Sequence, residues 1–475
     1  MSDLDLCYLP AHEALRRFKS RELSPVELME ATIRRAEALK ASVNALTYTH
    51  FDEAMDLARK AEAKYARGAR TGVLEGLPVG IKDESEIKGK PTSIGSLIHK
   101  DHIADRTSTM NARVMAAGGI VHARTATPEF CCAGTTWSRL WGVTRNPWNP
   151  DFTCGGSSGG AGASLASGTS SLATGSDIGG SIRIPASACG VVGYKPPYGR
   201  NPDDTPFNLD FFCHTGPMAR TVKDAILLQN IMCGPSPDDI VSLRPKLRLP
   251  LEYKPIKGWK IAFSMDLGLF EVDPDVQRNT LAALDVFRSL GATVEVIDLG
   301  WPSNVLAAGM GYLEHLFGGY LSTLLDTHGD KMTTYAREFA EHGRASKSTD
   351  FVASLEVVGE MYKTLGPILD RYDVLVCPTN ALPAVPADFD QTTGTVEING
   401  KVVNASLGWV MTTPFNMMSR CPVLSVPTGH AGNGVPTGLQ IVGRTYRDAD
   451  VFRAGLAFEE AVGGWYGDAA SRPSL

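Results

Sequence analysis

No stretch of this sequence approaches the roughly 20 consecutive apolar residues of a membrane-spanning helix, and no dense block of lysine and arginine occurs anywhere. The ten histidines are scattered, with only His99 and His102 three residues apart and no His-Glu-x-x-His pair, so no metal site and no metal-dependent hydrolysis are expected. The nine cysteines are odd in number and form no Cys-x-x-Cys pair, which argues against a disulfide framework and a structural zinc and for reduced thiols. The stretch MSDLDLCYLPAHEALRRFKS lacks the charged, apolar and small-residue succession of a secretory signal. With a net charge of −6 there is no electrostatic reason to bind nucleic acid or an anionic membrane. The expectation is a soluble, cytoplasmic protein acting on a small molecule without a cofactor.

What is present is enough material for a large core: 475 residues, 43% of them hydrophobic and 21% charged. Ser24-Pro25-Val26-Glu27 reads as a capping box with proline at the first helical position, opening a helix with Val26, Met29, Ile33 and Ala36 on one face. A helix follows from Asp52 to Ala66, then a strand through Val79 and Ile81, a helix near Met110 to Ala117 and a strand from Gly119 to Arg124. Further strands are expected at Lys260 to Phe263, Thr293 to Ile297, Val374 to Cys377, Val423 to Val426 and Gly438 to Val442, with a helix opened by Asp273-Pro274. This alternation predicts one α/β domain over 1–475, with a mixed, largely parallel sheet covered by helices on both faces. No linker, repeat or low-complexity tract divides the chain. Residues 1–70 read as N-terminal helices, and about 305–370 as a peripheral helical region shaping a substrate pocket.

Two serines sit on paired-glycine turns, Ser157 in GGSSGG and Ser181 in GSDIGGSIRIPAS. Upstream, LPVGIKD ends an apolar β-like run on Lys82. Each has a bland reading: Ser157 or Ser158 as a helix N-cap, GGS as a tight turn, Lys82 as a strand-end lysine paired with Asp83. Together they admit another, because a lysine in apolar company can serve as a neutral base and a serine needs one to become a nucleophile. The glycines of Asp177-Ile178-Gly179-Gly180-Ser181 let successive N–H groups converge, so Ile178, Gly179, Gly180 and Ser181 are candidates for an oxyanion hole. GLPVGIK lacks the spacing of a phosphate loop, and no histidine stands beside Cys131, Cys132 or Cys154 to activate a thiol.

LPVGIKD, TATPEF, GVTRNPWNPDFTCGGSSGG, GSDIGGSIRIPAS, GVVGYKP, GPMARTVKDA, LVCPT and GLQIVGR follow one another over most of the chain. In these pieces the sequence resembles the amidase signature family. The resemblance implies a catalytic core within 71–230 and a triad of Ser181 as nucleophile, Ser157 as bridging serine in a cis peptide bond, and Lys82 as base. It also implies a backbone group at Cys131 that contacts substrate or the bridging serine, structural roles for Asp177 and Arg183, and a homodimer as the assembly to look for. Burial is expected to lower the Lys82 pKa. Ser176, Ala161 and Cys154 depart from the family pattern without being expected to touch the triad, and CHTG at 213–216 is expected to alter the pocket wall.

The activity implied is hydrolysis of the C–N bond of linear amides through an acyl-enzyme, with carbamates and esters within reach of the same site. The other class implied is the glutaminase subunit of a tRNA-dependent amidotransferase. The apolar run Met310 to Leu325 hints at a hydrophobic or aromatic group on the substrate.

Overall fold

Eleven strands hydrogen-bond into one central sheet in the computed structural model, which describes residues 1–475. In chain order they are β1 Leu46–Thr49, β2 Pro78–Lys82, β3 Ile120–Thr125, β4 Leu172–Ser176, β5 Val192–Lys195 and β6 Thr215–Ala219. Then come β7 Lys260–Phe263, β8 Thr293–Val296, β9 Val374–Pro378, β10 Val423–His430 and β11 Pro436–Gly443. Across the sheet the order is β1-β3-β2-β4-β6-β5-β10-β11-β9-β7-β8. Parallel pairing occupies two flanks, β3-β2-β4 and β9-β7-β8, and antiparallel pairing runs through the middle.

Both faces of this sheet are covered, as the period of two along the strands demands. In β9, Val374 and Val376 point into one hydrophobic cluster while Leu375 and Cys377 point into a second on the opposite face. Strands β2, β9 and β11 are buried along their whole length. The expected strands at 260–263, 293–297, 374–377, 423–426 and 438–442 correspond to β7 to β11.

The capping box at Ser24 forms, with the Val26 N–H donating to Ser24 Oγ at 2.9 Å and the Ser24 N–H to Glu27 Oε2 at 2.8 Å. Its helix, Pro25–Leu39, is buried on two sides rather than one. Met29 faces Ala54 and Ala58 of the helix Phe51–Ala66, whereas Leu28, Ala31 and Leu39 enter the main core. Val26 and Ile33 are therefore only half-buried. Asp273 caps Pro274–Ser289 through the Asp275 N–H at 2.8 Å. Helices Val305–Leu313, Thr334–Ala345 and Ser348–Arg371 make up the region expected at 305–370, and a wide π turn over Glu314–Gly318 interrupts it.

Parallel neighbours β2 and β4 end side by side, β2 on Lys82 and β4 on Ser176. The carboxyl ends of parallel strands are where α/β sheets place their ligands. Both glycine-serine turns converge there.

Candidate active site

Lys82 is held at the end of β2 with its side chain 1% exposed. Its Nζ reaches three oxygens: Ser157 Oγ at 2.7 Å, Ser176 Oγ at 2.7 Å and Glu84 Oε2 at 3.1 Å. Two hydroxyl acceptors and a carboxylate ion-pair partner around one nitrogen suit an ammonium. Ser157 is fully buried on the cis peptide bond Gly156–Ser157, the geometry the resemblance implies for this position.

Ser181 closes the loop between β4 and the helix Arg183–Cys189, and its hydroxyl has no hydrogen-bond partner within the protein. Its carbonyl accepts from the Ser158 N–H at 3.0 Å, which ties the two glycine-serine turns together. No hydrogen bond joins Ser157 Oγ to Ser181 Oγ. The N–H groups of Ile178, Gly179, Gly180 and Ser181 likewise donate to nothing in the protein, so four donors are left for a ligand. Gly180 has φ 126°, and a Cβ there would lie 1.9 Å from Thr412 Oγ1. Only glycine fits. The Gly179 carbonyl is held on the other side by Thr412 Oγ1 at 2.7 Å and Thr413 Oγ1 at 3.0 Å.

Behind this loop Arg183 grips Asp177 through two bonds, Nε to Oδ2 at 2.9 Å and Nη2 to Oδ1 at 2.8 Å, with both side chains fully buried. Asn416 donates to Asp177 Oδ1 at 2.8 Å, and Arg183 also donates to Gln440 Oε1 at 2.7 Å. Burial alone pushes the Asp177 carboxyl up, but the Arg183 guanidinium outweighs it and holds the group well below the usual carboxylate range. His214, from the CHTG run, is pushed down to about 3 by burial and by Lys195; its Nδ1 and Nε2 each lie 3.1 Å from a carbonyl, of Asp177 and Ser419, and the neutral ring donates to one of the two.

One bland reading and one expectation fail at Lys82. Its partner is Glu84, not Asp83, which turns away to accept from the Ser93 N–H at 3.0 Å and faces Arg124 at 4.0 Å. Nor is its pKa lowered. Burial pushes it down, but the neighbouring Cys131 sulfur and the Glu84 carboxylate outweigh burial, and the amine is raised above its ordinary value. The Cys131 thiol, itself pushed up to about 12 by burial and by Glu84, is neutral at physiological pH, which leaves Glu84 as the charge that matters. A second expectation also fails: the Ser176 departure does touch a residue of the implied triad, since Ser176 Oγ accepts from Lys82 and donates to Glu84 Oε2 at 2.8 Å. Glu84 and Ser176 are the site residues that sequence reasoning misses. Strand alternation gives no signal for Glu84, because β2 ends on Lys82 and a turn brings Glu84 back over it.

Cys131 lies in a turn with φ 60°. Its N–H is committed to the Pro128 carbonyl at 3.0 Å and its thiol donates to Glu84 Oε2 at 3.0 Å, while its own carbonyl accepts nothing and is the backbone group left free.

Two chambers meet at Cys131, Ile178 and Phe317. The one that holds Ser181 is apolar, with Ile184, Met310, Leu313, Phe339, Leu407 and Val410 on its walls and no charged side chain among its lining. Met310, Leu313 and Phe317 come from the apolar run singled out in the sequence. The other, of about 360 Å³, holds Ser157 and Ser176 and is lined by Glu84, Glu86, Asp203 and Arg106. Cys213 and Thr215 of the CHTG run form part of its wall. Asp203 there is pushed up to about 8 by burial and by the neighbouring Glu84.

Comparison with known proteins gives the family. The family model for amidases matches residues 27–452. An acylamidase of Rhodococcus erythropolis is 35% identical over 98% of this chain and 98% of its own length. A glutamyl-tRNA(Gln) amidotransferase subunit of Nostoc punctiforme is 31% identical over 95% of this chain and 97% of its own. Among solved structures, a bacterial aryl acylamidase of the amidase signature family superposes with a TM-score of 0.88 at 31% identity, covering 96% of each chain. With a match this long in sequence and fold, the chain belongs to the amidase signature family of amidohydrolases.

Proposed function

We propose that this amidohydrolase is a stand-alone acylamidase that cleaves linear amides with apolar acyl groups through an acyl-enzyme on Ser181. Once Lys82 is neutral, its amine takes a proton from Ser157 while Ser157 takes one from Ser181. Ser181 Oγ then forms a bond to the substrate carbonyl carbon, and the carbonyl π pair moves onto oxygen. The free N–H groups of Ile178 to Ser181 bind that oxyanion, a kind of donor worth about 3 to 4 kcal/mol each in barrier height. On collapse the C–N bond breaks, and the leaving nitrogen takes the proton returned through Ser157. Water repeats the sequence to free the acid. The Ser157 to Ser181 contact closes when substrate arrives, as catalytic hydrogen bonds commonly do.

The direction of the substrate follows from which chamber holds which serine. Ser181, which keeps the acyl group, opens on the apolar chamber, and Ser157, which protonates the amine, opens on the polar one. The observation that carries this reading against a glutaminase subunit is the absence of any charged side chain from the Ser181 chamber. The α-ammonium and α-carboxylate of glutamine would be desolvated there without partners, at a cost of several kcal/mol. Carbamates and esters of similar shape form the same tetrahedral oxyanion and belong to the same proposal. The test is a panel of acyl anilides, carbamates, esters and glutamine given to the purified single chain. Rapid anilide turnover without a partner supports the proposal, and turnover confined to glutamine ends it.

A further inference from the structure

Glu84 presents one carboxylate oxygen, Oε2, to three groups at once: Lys82 Nζ as an ion pair at 3.1 Å, and the donors Ser176 Oγ at 2.8 Å and Cys131 Sγ at 3.0 Å. Its own N–H donates to the Lys82 carbonyl at 2.8 Å, so the turn that ends β2 folds the carboxylate back over the lysine two residues earlier. The other oxygen accepts no hydrogen bond, and the residue lines the polar chamber. Three strands and loops thus hold one negative group against the base of the relay. Nothing in the proton transfers among Lys82, Ser157 and Ser181 requires it.

We propose that Glu84 is a positioning residue and counter-ion that keeps Lys82 an ammonium in the resting site and so sets the pH above which the relay runs. The proposal rests on the roles given to Lys82 and Ser181 above. An opposite charge this close favours the charged lysine, while burial disfavours it. The other titratable groups facing the pair are Cys131 and Cys213, both thiols held neutral by burial, and Asp203 on the far side of the chamber. Arg124 donates to the Lys82 carbonyl at 3.1 Å and balances Asp83. Of these, only Glu84 touches Nζ.

The test compares wild type, Glu84→Gln and Asp203→Asn in two readouts: kcat/KM for an acyl anilide against pH, and the rate of Ser181 labelling by phenylmethylsulfonyl fluoride against pH. Glutamine keeps an acceptor oxygen for Ser176 and Cys131 and removes only the charge. The acid limb of both profiles should move down by about one pH unit or more in E84Q, the range for losing an adjacent opposite charge. A limb that stays in place, moves up, or moves with D203N and not with E84Q overturns the proposal. So does a folded E84Q whose Ser181 is labelled at no pH, since Glu84 would then be an obligatory proton acceptor. Should E84Q fail to fold, Glu84→Asp withdraws the charge by one methylene, and the limb should move the same way by a smaller step; an unmoved limb again overturns it. Wild-type label on a residue other than Ser181 would instead remove the nucleophile assignment.

Discussion

Lys82 Nζ lies 2.7 Å from Ser157 Oγ although 75 positions separate them in the chain. One comes from the end of a fully buried strand, the other from a cis peptide bond in a glycine-rich turn. The contact joins the two motifs on which the proposed chemistry depends, and its strength is set by what else surrounds the lysine.

Activity should rise with pH through the neutral range. The relay uses neutral Lys82, and its pKa in the folded protein is raised above the ordinary lysine value. Below that pKa the neutral fraction, and with it kcat/KM, should grow about tenfold per pH unit until another step limits the rate. A kcat/KM profile for an acyl anilide that peaks near about pH 5 is incompatible with this base.

Ser176 links Lys82 to Glu84, so its hydroxyl should matter more than a buried polar contact remote from the site. Ser176→Ala removes the hydroxyl that holds the Lys82 amine and the Glu84 carboxylate in register, and because a catalytic group displaced by about 1 Å can cost about a hundredfold, kcat at its pH plateau should fall about ten- to a hundredfold. Ser176→Thr keeps the hydroxyl and should keep most of the activity. Steady-state kinetics on both variants checks this, and equal loss in the two would contradict it.

The pair Asp177 and Arg183 should carry stability rather than chemistry. Asp177→Asn leaves the Arg183 charge buried without its partner, at a cost of about 3 to 5 kcal/mol near neutral pH. The Asp177 pKa is depressed in the folded chain, so the contribution is fully present above the unfolded carboxylate value of 3.8 and is lost only as pH falls through the folded value below it. Urea unfolding should therefore separate wild type from D177N at pH 7, with a gap that narrows as the pH is taken below about 4.

The apolar chamber should show itself in chain-length preference. Each methylene buried against Met310, Leu313 and Val410 is worth about 0.8 kcal/mol, or about fourfold in kcat/KM, until the chamber is full. Kinetics on anilides from acetyl to hexanoyl should show this climb. A preference for acetyl, or for acyl groups carrying a charge, would contradict the placement of the acyl group.

Much of this is legible in the sequence because the relevant signals are local. Paired glycines before Ser157 and Ser181 announce turns, in which Gly155, Gly156 and Gly180 leave no room for a Cβ, and the apolar run into Lys82 announces a buried strand. What stays hidden depends on neighbours distant in the chain. Strand β4 reads Leu-Ala-Thr-Gly-Ser, too small and polar to look like a strand, yet it is almost wholly buried because β2 and β6 flank it in the sheet and the helices Gly159–Ala166 and Val222–Met232 pack against it. The Lys82 pKa departs from expectation because burial can be inferred from apolar neighbours, whereas the return of Glu84 over the amine depends on how the chain turns after β2. Ser176 reads only as a mild substitution, since nothing in its own segment shows that it ends beside Lys82.

The most direct test of the central claim is to trap the acyl-enzyme. The purified chain is quenched with acid during turnover of a slowly hydrolysed acyl anilide, digested, and its peptides are sequenced by mass spectrometry. The account predicts one acyl group on the peptide that carries Ser181, and none in Ser181→Ala, whose turnover should fall at least about a thousandfold while its melting temperature is kept. An acyl group on Cys131 or Ser157, or undiminished turnover in S181A, would contradict it.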